Sequence, residues 1–160
     1  MNKLTVPDAL ARVARAHLFS DGGEHFVFFL CTVETSSDSV AFVAKDVLLI
    51  GDGDLEPAGY SLSIRLDVLL DVMNRAAREG AALVEGHSHP RGFGRFSYTD
   101  LEGFKEFVPY VIDVLKKPYG ATVWDGKTVV GACWRRPEWQ EVMAVEAGPE
   151  KSPKARRSGH

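Results

Sequence analysis

Two histidines, His87 and His89, stand two residues apart in the segment HSHPRGFGRFSYTD, which ends in Asp100. A strand turns residues i and i+2 to the same face, so two imidazoles at a strand end can converge on one point. A carboxylate on the first turn of a following helix reaches that point if the Gly-containing loop folds back. Two histidines and one carboxylate form a three-ligand site for Zn²⁺, with a fourth position open to water. Zinc lowers the pKa of its water from about 15.7 to about 7. Amide hydrolysis needs two further groups: a carboxylate to move the proton, and a donor for the tetrahedral oxyanion. Ser97, three residues before Asp100, is placed to be that donor. It is also placed to be a helix N-cap, with Asp100 at N3 favoured by the helix dipole. The expectation is one Zn²⁺ per chain, held by His87, His89 and Asp100.

These side chains need elements to hold them. Pro7 to His17 has apolar residues at helical spacing. His25 to Val33 is almost wholly apolar, as in a strand buried on both faces, and Val40 to Ile50 reads as its neighbour. Gly51 to Gly59 reads as a loop. Ile64 to Glu79 is the clearest amphipathic helix, closed by Gly80. Ala82 to His87 is a short strand that delivers the histidines. Ser97 opens another helix, with Thr99 and Glu102 spaced as a capping box and Pro109 expected to bend or restart it before Lys116. Pro118 to Trp124 and Lys127 to Trp134 flank Asp125-Gly126, a strong hairpin signal. This order implies an α/β sandwich on a mixed central sheet flanked by helices. One domain is expected over residues 1–140, with a partly disordered tail over 141–160.

Composition narrows the function. The chain has 160 residues, 45% of them hydrophobic, and a net charge of -3. That balance does not suggest a nucleic-acid binder, and no stretch is apolar for the length a membrane span needs. The N-terminal residues show no secretory pattern, so a cytoplasmic location is expected. The basic run KSPKARRSGH at 151–160 reads as a solvated tail or an interaction segment. Cys31 and Cys133 lie in apolar runs and read as reduced core thiols. No Cys-x-x-Cys is present, which argues against a thiolate zinc site. A nucleotide deaminase would want His-x-Glu and Pro-Cys-x-x-Cys, and neither occurs.

The spacing His-x-His, seven residues, Ser, two residues, Asp resembles the signature of the JAB/MPN (JAMM) metalloproteases. His87, His89, Ser97 and Asp100 match its fixed positions, and Pro90 matches the proline that commonly follows the second histidine. The resemblance implies a cytidine-deaminase-like fold and a zinc-dependent peptidase or isopeptidase. It also implies a glutamate at the start of the first long strand, which here is Glu24, as general acid/base. Glu34, at the far end of that strand, is the weaker candidate. Glu85 shares a strand face with both histidines and could support them or rival Glu24 as base. The chain departs from the family where Glu85 and Gly86 replace the usual aromatic residues before the first histidine. The compact chain and its ending PYGATVWDGKTVVGACW resemble bacterial JAB proteins found with E1- and E2-like enzymes. The implied substrate is a ubiquitin-like protein, trimmed at its C-terminus or released from a conjugate. Its extended tail would approach past Gly92, Phe93 and Gly94. Two other readings are a zinc peptidase acting on small peptides or sulfur-carrier adducts, and a non-catalytic MPN-type binding module.

Overall fold

The computed structural model describes residues 1–58, 61–89 and 94–148. Pro90, Gly92, Phe93 and the basic segment 151–160 lie outside the described residues.

Among the described residues, nine strands and three α-helices follow in the order β1 (Asn2–Val6), α1 (Asp8–Leu18), β2 (Phe26–Thr35), β3 (Val40–Ile50), β4 (Leu55–Ala58), β5 (Ser61–Ile64), α2 (Leu66–Glu79), β6 (Ala82–Ser88), α3 (Tyr98–Leu115), β7 (Tyr119–Trp124), β8 (Val129–Arg136) and β9 (Trp139–Ala147). Seven strands close into a barrel in the order β1-β3-β2-β6-β7-β8-β9. β4 and β5 form a separate two-stranded sheet.

The expected helix-flanked α/β sandwich is therefore wrong. A cytidine-deaminase-like sheet would be open, and this one is not. The closing pair is β1 with β9, parallel, in register from Asn2↔Met143 to Val6↔Ala147. An open seven-stranded sheet would leave two edges of unpaired backbone groups, and this pairing removes both. The boundary expected at residue 140 also moves. The chain from Trp139 to Ala147 is a barrel strand, so a tail cannot begin at 141.

Burial explains the closure. Strand β2 has six consecutive buried residues, Phe26 to Cys31, and its alternate side chains enter two different cores. One core draws on all seven barrel strands, including Leu4, Val27, Phe42, Val84, Trp124, Cys133 and Met143, so it fills the barrel interior. Helix α1 contributes Ala11, Ala14 and Leu18 to this core. The other core lies between the barrel wall and helices α2 and α3, around Phe28, Met73, Leu83, Phe104 and Trp134.

Two local expectations need correction. Pro109 sits inside α3, but the helix runs unbroken from Tyr98 to Leu115. Burial of the neighbouring Val108 and Val111 outweighs the one backbone hydrogen bond that proline removes. The α3 capping box is formed by Ser97 and Asp100, not by Thr99 and Glu102. Among the described residues, no helix is long and apolar enough to cross a membrane.

Candidate metal centre

Strand β6 is the element that builds the site. It lies between β2 and β7, with His87 opposite Phe26 on one side and Val123 on the other. Past its end the chain stays pinned. Ser88 N–H donates to the His25 carbonyl at 3.0 Å, and His89 N–H donates to the Trp124 carbonyl at 2.8 Å. The two imidazoles therefore face the same way from a rigid frame. Their Nε2 atoms are 3.1 Å apart.

Asp100 arrives from α3. Ser97 Oγ accepts from Asp100 N–H at 3.0 Å, and Asp100 Oδ2 accepts from Ser97 N–H at 2.8 Å. This reciprocal cap turns the carboxylate back toward β6. Oδ2 lies 3.1 Å from His87 Nε2 and 3.4 Å from His89 Nε2. Ligand atoms of a tetrahedral zinc site, with bonds of about 2.0–2.1 Å, stand roughly 3.3–3.4 Å from one another. The three atoms thus fit a zinc ion in spacing and in type. Among the described residues, they are the group of histidine, cysteine and carboxylate side chains close enough to hold a metal.

The carboxylates and histidines also perturb one another. Burial disfavours a charged His87, but hydrogen bonds to Asp100 and Glu85 outweigh it and raise the imidazole pKa. Burial likewise opposes ionisation of Asp100, and the contacts with His87 and Ser97 override it to lower the carboxyl pKa. A divalent cation bound there would compete with a proton for His87.

Glu24 precedes β2 and points its Oε2 to within 3.7 Å of His89 Nε2. Desolvation raises its pKa, which makes it a stronger base than a solvated carboxylate. Ser97 is the helix N-cap, as one of its two expected roles required. Its hydroxyl accepts from Asp100 N–H, and its side chain also lies against the Asp100 carboxylate, helping to keep it ionised. Glu34 ends up at the other end of β2, away from the histidines.

Packing against β7 leaves little room for a side chain at Gly86. Trp124 Nε1 donates to Thr122 Oγ1, which donates in turn to the Glu85 carbonyl, each at 2.9 Å. A Cβ on residue 86 would lie 3.1 Å from Trp124 Nε1 and 3.0 Å from a Val27 methyl. The indole of β7 thus occupies space that a side chain at 86 would need.

No family model matches the chain, and no curated protein does. Among solved structures, it is similar to the solution structure of protein DSY2949 from Desulfitobacterium hafniense. The two share 13% sequence identity with a TM-score of 0.57, over 94% of this chain and 96% of the other. That likeness concerns the fold alone.

A cleft of about 690 Å³ opens beside the centre. Glu24, Ser97 and Asp100 line it, together with Glu85, Phe26, Ile64 of β5, Leu66 and Leu69 of α2, and Phe104, Phe107 and Tyr110 of α3. The sequence reading missed this wall. Its signal was present as a second apolar stripe on α3, where Phe104, Phe107 and Tyr110 recur every three residues.

Proposed function

We propose that this chain is a zinc-dependent hydrolase of peptide or isopeptide bonds, acting at the C-terminus of a ubiquitin-like protein. The observation that carries the reading is the convergence of His87 Nε2, His89 Nε2 and Asp100 Oδ2 at zinc-ligand spacing, with the Glu24 carboxylate beside them. The closed barrel lends nothing to a family assignment, so the activity rests on the site and the motif.

Zinc would supply Lewis acidity, making water nucleophilic near neutral pH and polarising the scissile carbonyl. The chain's own groups do the rest. Glu24 takes the water proton and passes it to the leaving amine, a task suited to its raised pKa. Ser97 Oγ donates to the developing oxyanion while its backbone N–H keeps Asp100 in place. The apolar cleft holds the segment before the scissile bond, and the carboxylates of Glu102 and Glu106 on its rim favour a basic residue there. β5 runs along the cleft and, among the described residues, pairs only with β4. An extended tail lying there would meet backbone groups without strand partners. Cys31 and Cys133 are free and buried, which fits a reducing compartment, and a cytoplasmic location is part of the proposal. So is partnership with E1- and E2-like enzymes of the same system.

The test has two parts. Purified protein is assayed for bound zinc, with one ion per chain expected. It is then incubated with a C-terminally extended ubiquitin-like precursor, and with a conjugate, from its own genomic neighbourhood. Absence of zinc in protein never exposed to chelator would refute the metal reading. Full zinc with no cleavage of either substrate would refute the substrate class.

A further inference from the structure

We infer that Glu85 is a positioning residue for the centre, holding His87 with Nδ1–H turned away from the ligand cluster and Nε2 turned into it. The inference rests on reading His87, His89 and Asp100 as metal ligands.

Glu85 and His87 project from the same face of β6 at i and i+2. Glu85 Oε1 lies 3.0 Å from His87 Nδ1, and the two side chains are 13% and 1% exposed. A glutamate is rarely this buried unless it is paired. Its ion-pair partner is His87. The buried Tyr119 hydroxyl also interacts with this carboxylate, which raises the phenol's pKa. The carboxylate oxygen Oε1 is paired with the imidazole.

The chemistry follows from the donor inventory. A neutral imidazole has one N–H and one lone pair. An ionised carboxylate only accepts, so it takes the N–H at Nδ1 and leaves the lone pair on Nε2. That is the atom 3.1 Å from both His89 Nε2 and Asp100 Oδ2. The backbone beneath Glu85 is itself pinned by the Trp124 to Thr122 to Glu85 carbonyl chain. Phe26 and Phe96 pack against the imidazole, with ring centroids 5.8 and 6.4 Å away. Glu85 and Glu24 therefore have different roles. Glu85 touches the side of His87 away from the ligand atoms, whereas Glu24 approaches the ligand atoms themselves.

Zinc dissociation constants for wild type, Glu85→Gln and Glu85→Ala, measured by competition with a chromophoric chelator, test this. ¹H–¹⁵N spectra of the zinc-loaded proteins report the His87 Nδ1 proton. The expected loss of zinc affinity is about 10-fold for the Gln variant and up to about 100-fold for the Ala variant, with the stoichiometry kept. The Nδ1 proton signal should weaken or shift in both. Circular dichroism of the metal-free proteins shows whether the fold is intact. Should Glu85→Ala fail to fold, the isosteric Gln variant decides. Wild-type zinc affinity and an unchanged Nδ1 signal in the folded variants would overturn the role of Glu85 and leave the metal reading standing. If wild type binds no zinc, or if His89→Ala and Asp100→Ala bind it normally, the metal reading itself falls, and this inference with it.

Discussion

At the scale of single residues, the proposed reading divides labour among five groups: three would present ligand atoms, Glu85 would brace one of them, and Glu24 would move the proton. Replacing Glu24 with Gln removes the base but keeps shape and burial. We expect Glu24→Gln to retain one zinc per chain and to lower kcat by about 10²- to 10⁴-fold. Metal analysis and single-turnover cleavage of the same preparation check this together. Cleavage at the wild-type rate would rule Glu24 out as the base. The two cysteines lie outside this chemistry. Burial pushes the Cys133 thiol up to about 12 and Cys31 higher still, so neither is a thiolate near neutral pH. We expect both to resist iodoacetamide in the native protein and to react once it is unfolded, as mass spectrometry would show.

At the scale of elements, helix ends do much of the positioning. The Ser97 cap starts α3 and also aims Asp100. The same helix ends less comfortably. Lys116, at its C-cap, adopts φ 55° and ψ 37°, the left-handed region that favours glycine. By contrast, α2 ends on Gly80 at φ 63°, where no side chain is strained. The Lys116–Asp113 ion pair is exposed and offsets little. We therefore expect Lys116→Gly to stabilise the fold by about 0.5–1 kcal/mol. Thermal unfolding should show this as a rise of about 1–4 °C in Tm. A lower Tm would mean that the lysine makes a contribution its exposed position does not suggest.

At the scale of the whole molecule, closure is the decisive feature. β9 pairs with both β8 and β1, so removing it would open the barrel and expose two edges. A chain truncated after residue 140, at the boundary the sequence suggested, should lose cooperative unfolding and aggregate. A chain ending at Gly148 keeps every described element and should fold as wild type. Size-exclusion chromatography and near-ultraviolet circular dichroism distinguish the two. A well-folded monomer of residues 1–140 would show that the β1–β9 pairing is dispensable.

What the sequence determined by itself was local. The His87, His89, Ser97 and Asp100 spacing, the Asp125-Gly126 hairpin, the α2 stripe and the buried run in β2 were all legible, because each is a pattern over a few residues with a fixed period or turn chemistry. Three things were decided only by tertiary structure. The N-terminal NKLTV and the C-terminal WQEVMAVEA are short segments with weak alternation, and they become strands because each completes a ladder with a partner more than 130 residues away. Pro109 stays helical because packing on both sides of it outweighs its local cost. Glu85 could be read from sequence as either a support or a base, and only the fold shows that its carboxylate lies against the far nitrogen of His87. Short-range periodicity reveals which face of an element is apolar. It does not reveal which distant edge will cover that face, because such pairings depend on the geometry of the assembled chain rather than on any local preference.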